Sequence, residues 1–446
     1  MKARFFVLAV VTAMVVGGTY VARAASGGTR HPSRDAGAIA RDGLEQGPGR
    51  SNQAEVQRLI RDFEDDVRRH PNATGLSFLG GLYLQRARLT GDLDTYLQAG
   101  TAIDDALARS PTDTETLSRK ATFLYRTHDF PGALRLADRI IASDHEASGA
   151  LAVRGDALVE LGDYAAAGDT YEMLATAVPD TAAVDVRRSH LAFIESQTDG
   201  ARHLAAIAER EAVASGEFGV GLAYYREAPA QISFDTGRYD DTARHYEAAL
   251  RAAPGYYATL ALLAKSRAAQ GQTDDAIRLY EQAVAIVPQP DYLAALGDLY
   301  ALKGDTRKAN EEYQTVELIG TLAKINRQVY NRQLALFYAD HDIKIEESVR
   351  LAGTELQVRK DVFGYDSYAW ALLKAGRVSE ARETSDHALA LRTPDPRILY
   401  HAGMIAKAQG DQARARALLQ HAISLSPRFD PLQAPRARAA LVELAG

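Results

Sequence analysis

The sequence predicts an all-α fold, a solenoid of stacked helical hairpins, and three observations carry that expectation. A pattern of about 34 residues recurs nine times, beginning near residues 114, 148, 182, 223, 257, 290, 328, 362 and 396. Small residues recur at one place on the first helix of each unit: Ala121, Gly155, Ser189, Ala230, Ala264, Gly297, Ala335, Ala369 and Gly403. A second small place recurs on the following helix, as Ala133, Ala167, Ala201, Thr242, Ala276, Ala309, Ala381 and Ala415. Two helices approach closely only where bulk is absent, so paired small positions mark the contact within a hairpin. Glycines at 162, 237, 271, 304, 376 and 410 suit a left-handed residue between the helices. Tyr171, Tyr246, Tyr280, Tyr313, Leu158, Tyr300 and Leu372 are the large residues expected to fill the space between hairpins.

The elements follow in chain order. Lys2 and Arg4 precede an uncharged run, then Gly17, Gly18 and Ala22-Arg23-Ala24. A basic start, an apolar stretch and an Ala-x-Ala site predict a signal peptide over residues 1–24. An uncleaved anchor is the alternative, since residues 5–22 are just long enough to span a bilayer. Either way the repeats are expected outside the cytoplasm, periplasmic or secreted. Residues 25–50 are rich in Gly, Ser, Arg, Asp and Pro and read as a flexible linker. Residues 51–71 form a capping helix with Leu59, Ile60, Phe63 and Val67 on one face. The solenoid occupies residues 72–430, about ten hairpins, and residues 431–446 supply a helix that covers its end. Two units are irregular. Residues 182–222 carry an insertion, and residues 324–361 lack both the turn glycine and the helix-B alanine.

Composition excludes some chemistry. The 446 residues contain no cysteine, so disulfides, thiolate metal sites and cysteine nucleophiles are ruled out. The net charge of -6, without a basic block, argues against nucleic-acid binding. No phosphate-cradling loop, nucleophile elbow, His-Glu-x-x-His or calcium loop is present. His128-Asp129 and His341-Asp342 sit at turns, where turn formation explains them. His387 and His421 share a register position on a solvated face. No cofactor, no metal and no enzyme activity are expected.

The set Leu263-Ala264, Gly271, Ala276, Tyr280, Ala283 and Pro288 resembles the tetratricopeptide repeat consensus, as does Leu296-Gly297, Tyr300, Gly304-Asp305, Ala309 and Tyr313. The stretch 365–431 is similar to terminal repeats of exported bacterial members of that family. The resemblance implies a right-handed superhelix whose first helices line a concave groove, and a protein or peptide partner bound there. Carried over by register, the groove residues are Phe363, Asp366, Trp370, Arg397, Tyr400, Met404 and Lys407. The aromatic and methionine members are expected to be exposed anchors, with inter-repeat core as the competing reading. Co-chaperones of the family hold a terminal carboxylate with lysine and asparagine. Here the equivalent places carry Ala258, Ala261 and Lys265, then Asp291, Ala294 and Asp298, so that clamp is absent. The functional expectation is an exported interaction scaffold, with no membrane insertion once the leader is removed. An assembly or export factor for an envelope polymer or complex is one alternative. An enzyme built on the two irregular units is another.

Overall fold

The computed structural model describes residues 52–325 and 331–445. The expected leader, residues 1–24, and linker, residues 25–50, lie outside them. The described residues form 22 helices and no strand, wound as a right-handed superhelical solenoid. A helix, Asn52–Arg69, precedes ten hairpins. The first pairs Ala73–Thr90 with Leu93–Arg109, the second Thr114–Arg126 with Phe130–Ser143, and the third Ser148–Leu161 with Tyr164–Ala177. The fourth pairs Ala182–Ile194 with Thr198–Ala214, the fifth Gly219–Asp235 with Tyr239–Ala252, and the sixth Tyr257–Ala269 with Thr273–Ile286. The seventh pairs Pro290–Leu302 with Thr306–Ile325 and the eighth Asn331–Asp340 with Ile345–Val358. The ninth pairs Val362–Lys374 with Val378–Ala388 and the tenth Pro396–Ala408 with Gln412–Leu425. A final helix, Gln433–Glu443, follows.

Each hairpin turns on a residue in the left-handed region, and the eighth has a second, Lys344, at φ 47°. Where glycine is absent the task falls to His128, Ser196 and Asp342, at φ 64°, 66° and 56°. Asp129 then caps the next helix by accepting from Gly132 N at 2.9 Å. The eighth hairpin, which has no alanine at the small helix-B place, uses Ser348, whose hydroxyl donates to Ala335 O at 2.7 Å. A serine fits because the hydroxyl finds its acceptor on the facing helix and leaves no buried group unpaired.

One expectation is extended. Tyr171 packs against Leu191 and Ile194 of the next hairpin, and Tyr313 lies 5.7 Å from Phe337 and 4.7 Å from His341, so both fill the space between hairpins as expected. Each ring also lies on the glycine of its own hairpin, Gly155 and Gly297, where a Cβ would collide with it. The small residue of the first helix is therefore a seat for the large residue of the second. Ala276 is fully buried in the core shared by the sixth and seventh hairpins. Ala276→Leu should cost about 1–3 kcal/mol in urea denaturation, as overpacking does. An equal loss from Gln420→Leu, on an exposed helix face, would contradict that account.

The coil closes on itself. Residues nearly two hundred apart meet where successive turns of the superhelix touch. The turn of the third hairpin meets the start of the ninth: Glu160 pairs with Arg359, and Val362 N donates to the Tyr164 hydroxyl at 2.9 Å. Arg359 also reaches Glu355 at 3.3 Å and stands 5.1 Å over the Phe130 ring. Beside them Arg332 donates to Asp361 at 2.7 Å. Farther along, the Thr393 hydroxyl donates to Ile194 O at 2.6 Å. Ser426 donates to Phe234 O at 3.0 Å, and Arg428 N donates to the Tyr239 hydroxyl at 2.7 Å. Leu158, Val159 and Ile194 share an apolar cluster with Val362, Ala388 and Ile398. At the other end Arg88 donates to Val220 O at 3.4 Å, which ties the first hairpin to the fifth.

Candidate functional site

The inside of the coil is where separate hairpins converge. Asp235, Lys265, Asp291, Asp340, Asp366 and Arg397 come from the fifth to the tenth hairpins, one from each. They act on one another electrostatically, together with Asp395 and Asp430. Charges from six successive hairpins can share one space only on the concave side of a tightly curved stack. Arg397 and Asp291 are solvent-exposed and Lys265 is half-buried, so water reaches this space.

Its electrostatics are those of a poorly hydrated interior. Burial pushes the Asp235 carboxyl up to about 7, with the Asp395 charge adding to the effect and Lys265 opposing it. Although the Asp291 side chain reaches water, the protein packed around it strips hydration and raises its carboxyl to about 6, against backbone hydrogen bonds. Burial raises Glu227, on the inner face of the fifth hairpin, to about 7, although Thr259 donates to it. Burial lowers Lys265, whose ammonium lies 4.3 Å over the Phe234 ring, while Asp235 opposes the shift. Neither Lys265 nor Arg397 forms an ion pair within 4 Å among the described residues.

A carboxyl whose native value is raised stabilises the fold below its unfolded value, and that contribution is lost as pH rises through the native value. Asp235 is 5% exposed. Between pH 5 and pH 8 it should therefore cost the native state roughly 2 kcal/mol. Asp235→Asn should show a smaller fall in urea stability over that interval than the parent chain. Parallel curves for the two proteins would contradict the assignment.

The seven residues expected to line the groove do not share one environment. Trp370 and Tyr400 are core, 2% and 1% exposed, and are not exposed anchors. The Trp370 ring stacks on His401 at 4.2 Å and its Nε1 donates to Asp340 at 2.8 Å. Tyr400 packs against Trp370 at 5.7 Å and Phe429 at 5.9 Å. Asp366 is buried, 3.0 Å from Nδ1 of the fully buried His401. Phe363 and Met404 are half-buried at the edges of two apolar clusters, and Lys407 pairs with Glu443 of the final helix. Only Arg397 stands open on the inner wall. The physical reason is the final helix. Ala434, Ala437, Ala440 and Leu444 need an apolar surface, and Trp370, Tyr400 and Met404 supply it. In the middle of the wall, where the carboxylate clamp is absent, Ala258 and Ala261 are buried and Lys265 and Asp291 beside them carry the charge.

Sequence reasoning missed Asp235, Asp395, Asp430 and Glu227. Lys265 and Asp291 were visible at groove places of the register, where they counted against a carboxylate clamp. No sequence signal reports that Asp395 and Asp235 face each other, because that depends on the curvature of the coil. Among the described residues no group of three or more His, Cys, Asp or Glu side chains is placed to hold a metal ion. No helix among them is long and apolar enough to cross a membrane.

Comparison with known proteins bears on the family. The chain matches no curated protein by sequence. It resembles several solved structures at low identity. A tetratricopeptide repeat protein from Parabacteroides merdae is 14% identical, covering 56% of this chain and 93% of its own, with a TM-score of 0.41. Human IFIT1, solved as a dimer with PPP-AAAA, is 13% identical over 86% of this chain and 99% of its own, with a TM-score of 0.45. A thermophilic repeat protein of the same kind from Thermus thermophilus is 19% identical over 48% of this chain and 99% of its own, with a TM-score of 0.37. Residues 233–316 match one family model described as Tetratricopeptide repeat, and residues 119–182 and 369–431 match a second with the same description. Over these three stretches, a little under half of the chain, the sequence is similar to tetratricopeptide repeats.

Proposed function

We propose that this protein is an exported interaction scaffold, and that a segment of a partner protein lies along the inner wall of its coil. One observation carries the reading: Asp291 and Arg397 are exposed on a common interior beside the half-buried Lys265, and neither cation is held in an ion pair within 4 Å among the described residues. Such groups keep hydrogen-bonding capacity for a ligand. Tetratricopeptide repeats as a class bind protein partners and are typically scaffolds rather than enzymes, which supports the same reading. Export rests on the basic, apolar and Ala-x-Ala pattern of residues 1–24.

The test is cross-linking in the native cell envelope with an amine-reactive reagent, followed by mass spectrometry. Partner peptides should be joined to Lys265 on the inner wall. Lys303, which pairs with Asp274 on the exposed outer surface, should yield few. A partner joined only to outer lysines would overturn the assignment. Absence of the protein from the envelope fraction would overturn the export reading alone.

A further inference from the structure

We propose that the inner wall around Asp291, Asp340, Asp430 and Gln433 takes the arginine or lysine side chains of an extended partner segment. The inference rests on the scaffold reading and adds the chemistry and shape of what that scaffold accepts.

Charge is the first ground. Asp340 and Asp430 meet at Gln433, 3.0 and 2.7 Å from its nitrogens, and Asp235, Asp291 and Asp395 lie within electrostatic reach of the resident cations Lys265 and Arg397. The excess is negative. Attraction for a cation is strengthened there, because protein displaces much of the water that would screen it.

Gln433 is the second, independent ground. Its backbone N donates to Asp430 at 2.7 Å, and its side-chain nitrogen donates to Asp340 at 3.0 Å. That nitrogen also stands 3.4 Å from Nε2 of His401. The remaining oxygen, Oε1, has no hydrogen-bond partner among the described residues, on a side chain only 3% exposed. A buried acceptor without a donor is costly. An ammonium or guanidinium brings donors to the neighbouring carboxylates, and to the oxygen once its side chain turns toward the ligand, whereas an anionic ligand brings the wrong charge.

Shape is the third ground. Successive turns are joined at Glu160–Arg359, Tyr164–Val362, Thr393–Ile194 and Tyr239–Arg428. A folded domain cannot lie across an open flank of such a coil. An extended chain can reach the interior from an end.

The experiment uses the full chain and three fluorescent probes. One is a twelve-residue Gly-Ser peptide bearing four arginines. The second carries four glutamates instead. The third is the arginine peptide closed at both ends by small folded domains. The arginine peptide should bind, weaken at least about tenfold on raising salt from roughly 50 to 300 mM, and be lost when capped. The glutamate peptide should not bind. Asp291→Lys should weaken the arginine peptide at least about tenfold, a loss of about 1.4 kcal/mol. Asp274→Lys, the same reversal on the outer surface, should leave it unchanged. Equal binding of both peptides, equal effects of the two reversals, or full binding of the capped probe would overturn the proposal. If a native partner still cross-links to Lys265 while the arginine peptide fails, the scaffold reading stands and the cationic assignment falls.

Discussion

Arg359→Met should destabilise the protein by about 3–5 kcal/mol. Arg359 and Glu160 are buried together at 6% and 8% side-chain exposure, with Glu355 as a further acceptor at 3.3 Å. Removing the guanidinium leaves Glu160 charged in a dry contact between two turns, and a buried charge without its partner costs that much. The companion variant separates the charge effect from lost packing. Glu160→Met combined with Arg359→Met removes both charges and keeps the volume, so a substantial part of the loss should be recovered. Urea denaturation followed by circular dichroism reads both. If the double variant is as unstable as the single, the loss comes from packing against Phe130 or from Glu355, and not from an orphaned Glu160.

Gly162→Ala should be more damaging than Gly271→Ala, although the two occupy the same register place. Both glycines hold φ near +80°, where a Cβ costs roughly 1–2 kcal/mol. Around Gly271 nothing stands within 4 Å of the added carbon, so the loss should stop there. At Gly162 the carbon would be driven into the Lys360 carbonyl oxygen of the next turn. Either the alanine variant opens the contact between turns or the backbone shifts, and the added loss should be about 1–3 kcal/mol, as for other overpacked sites. Small-angle scattering should then show a more extended coil for Gly162→Ala alone. Equal losses and equal dimensions would mean that the turns are not held against each other in solution.

These two glycines also show where sequence reading ends. Their role as left-handed turn residues was legible, since it depends on neighbours within one hairpin. So were Ala276, Ala309 and Gly297, whose smallness answers to a helix a dozen residues away. The contact of Gly162 with Lys360 was not legible, because it depends on how much each hairpin rotates against the last, and small rotations accumulate over nearly two hundred residues. The same gap explains the site. Trp370 and Tyr400 occupy first-helix places in the register, but a register does not say which flank the final helix covers. That helix buries them and leaves Arg397 exposed. Lys265 and Asp291 were in view as letters, yet their meeting with Asp395 and Asp430 is a property of the whole winding. Ser348 was overlooked for a simpler reason: alanine was sought where any small residue with a local acceptor suffices.

The contacts between turns change how this chain must come to its structure. An array in which each unit touches only its neighbours can fold from one end as it is made. Here Glu160, Tyr164 and Ile194 wait for Arg359, Val362 and Thr393. Pairings of that sequence separation carry a large loop-closure cost and slow folding. The chain enters its folding compartment N-terminus first, so the third and fourth hairpins arrive before their contacts exist. Throughout that interval Glu160 lacks Arg359, and the cluster around Leu158 and Val159 lacks Val362, Ala388 and Ile398. The nascent coil is thus an open spring that winds shut late, and any chain already lying along its inner wall at that moment is enclosed rather than admitted.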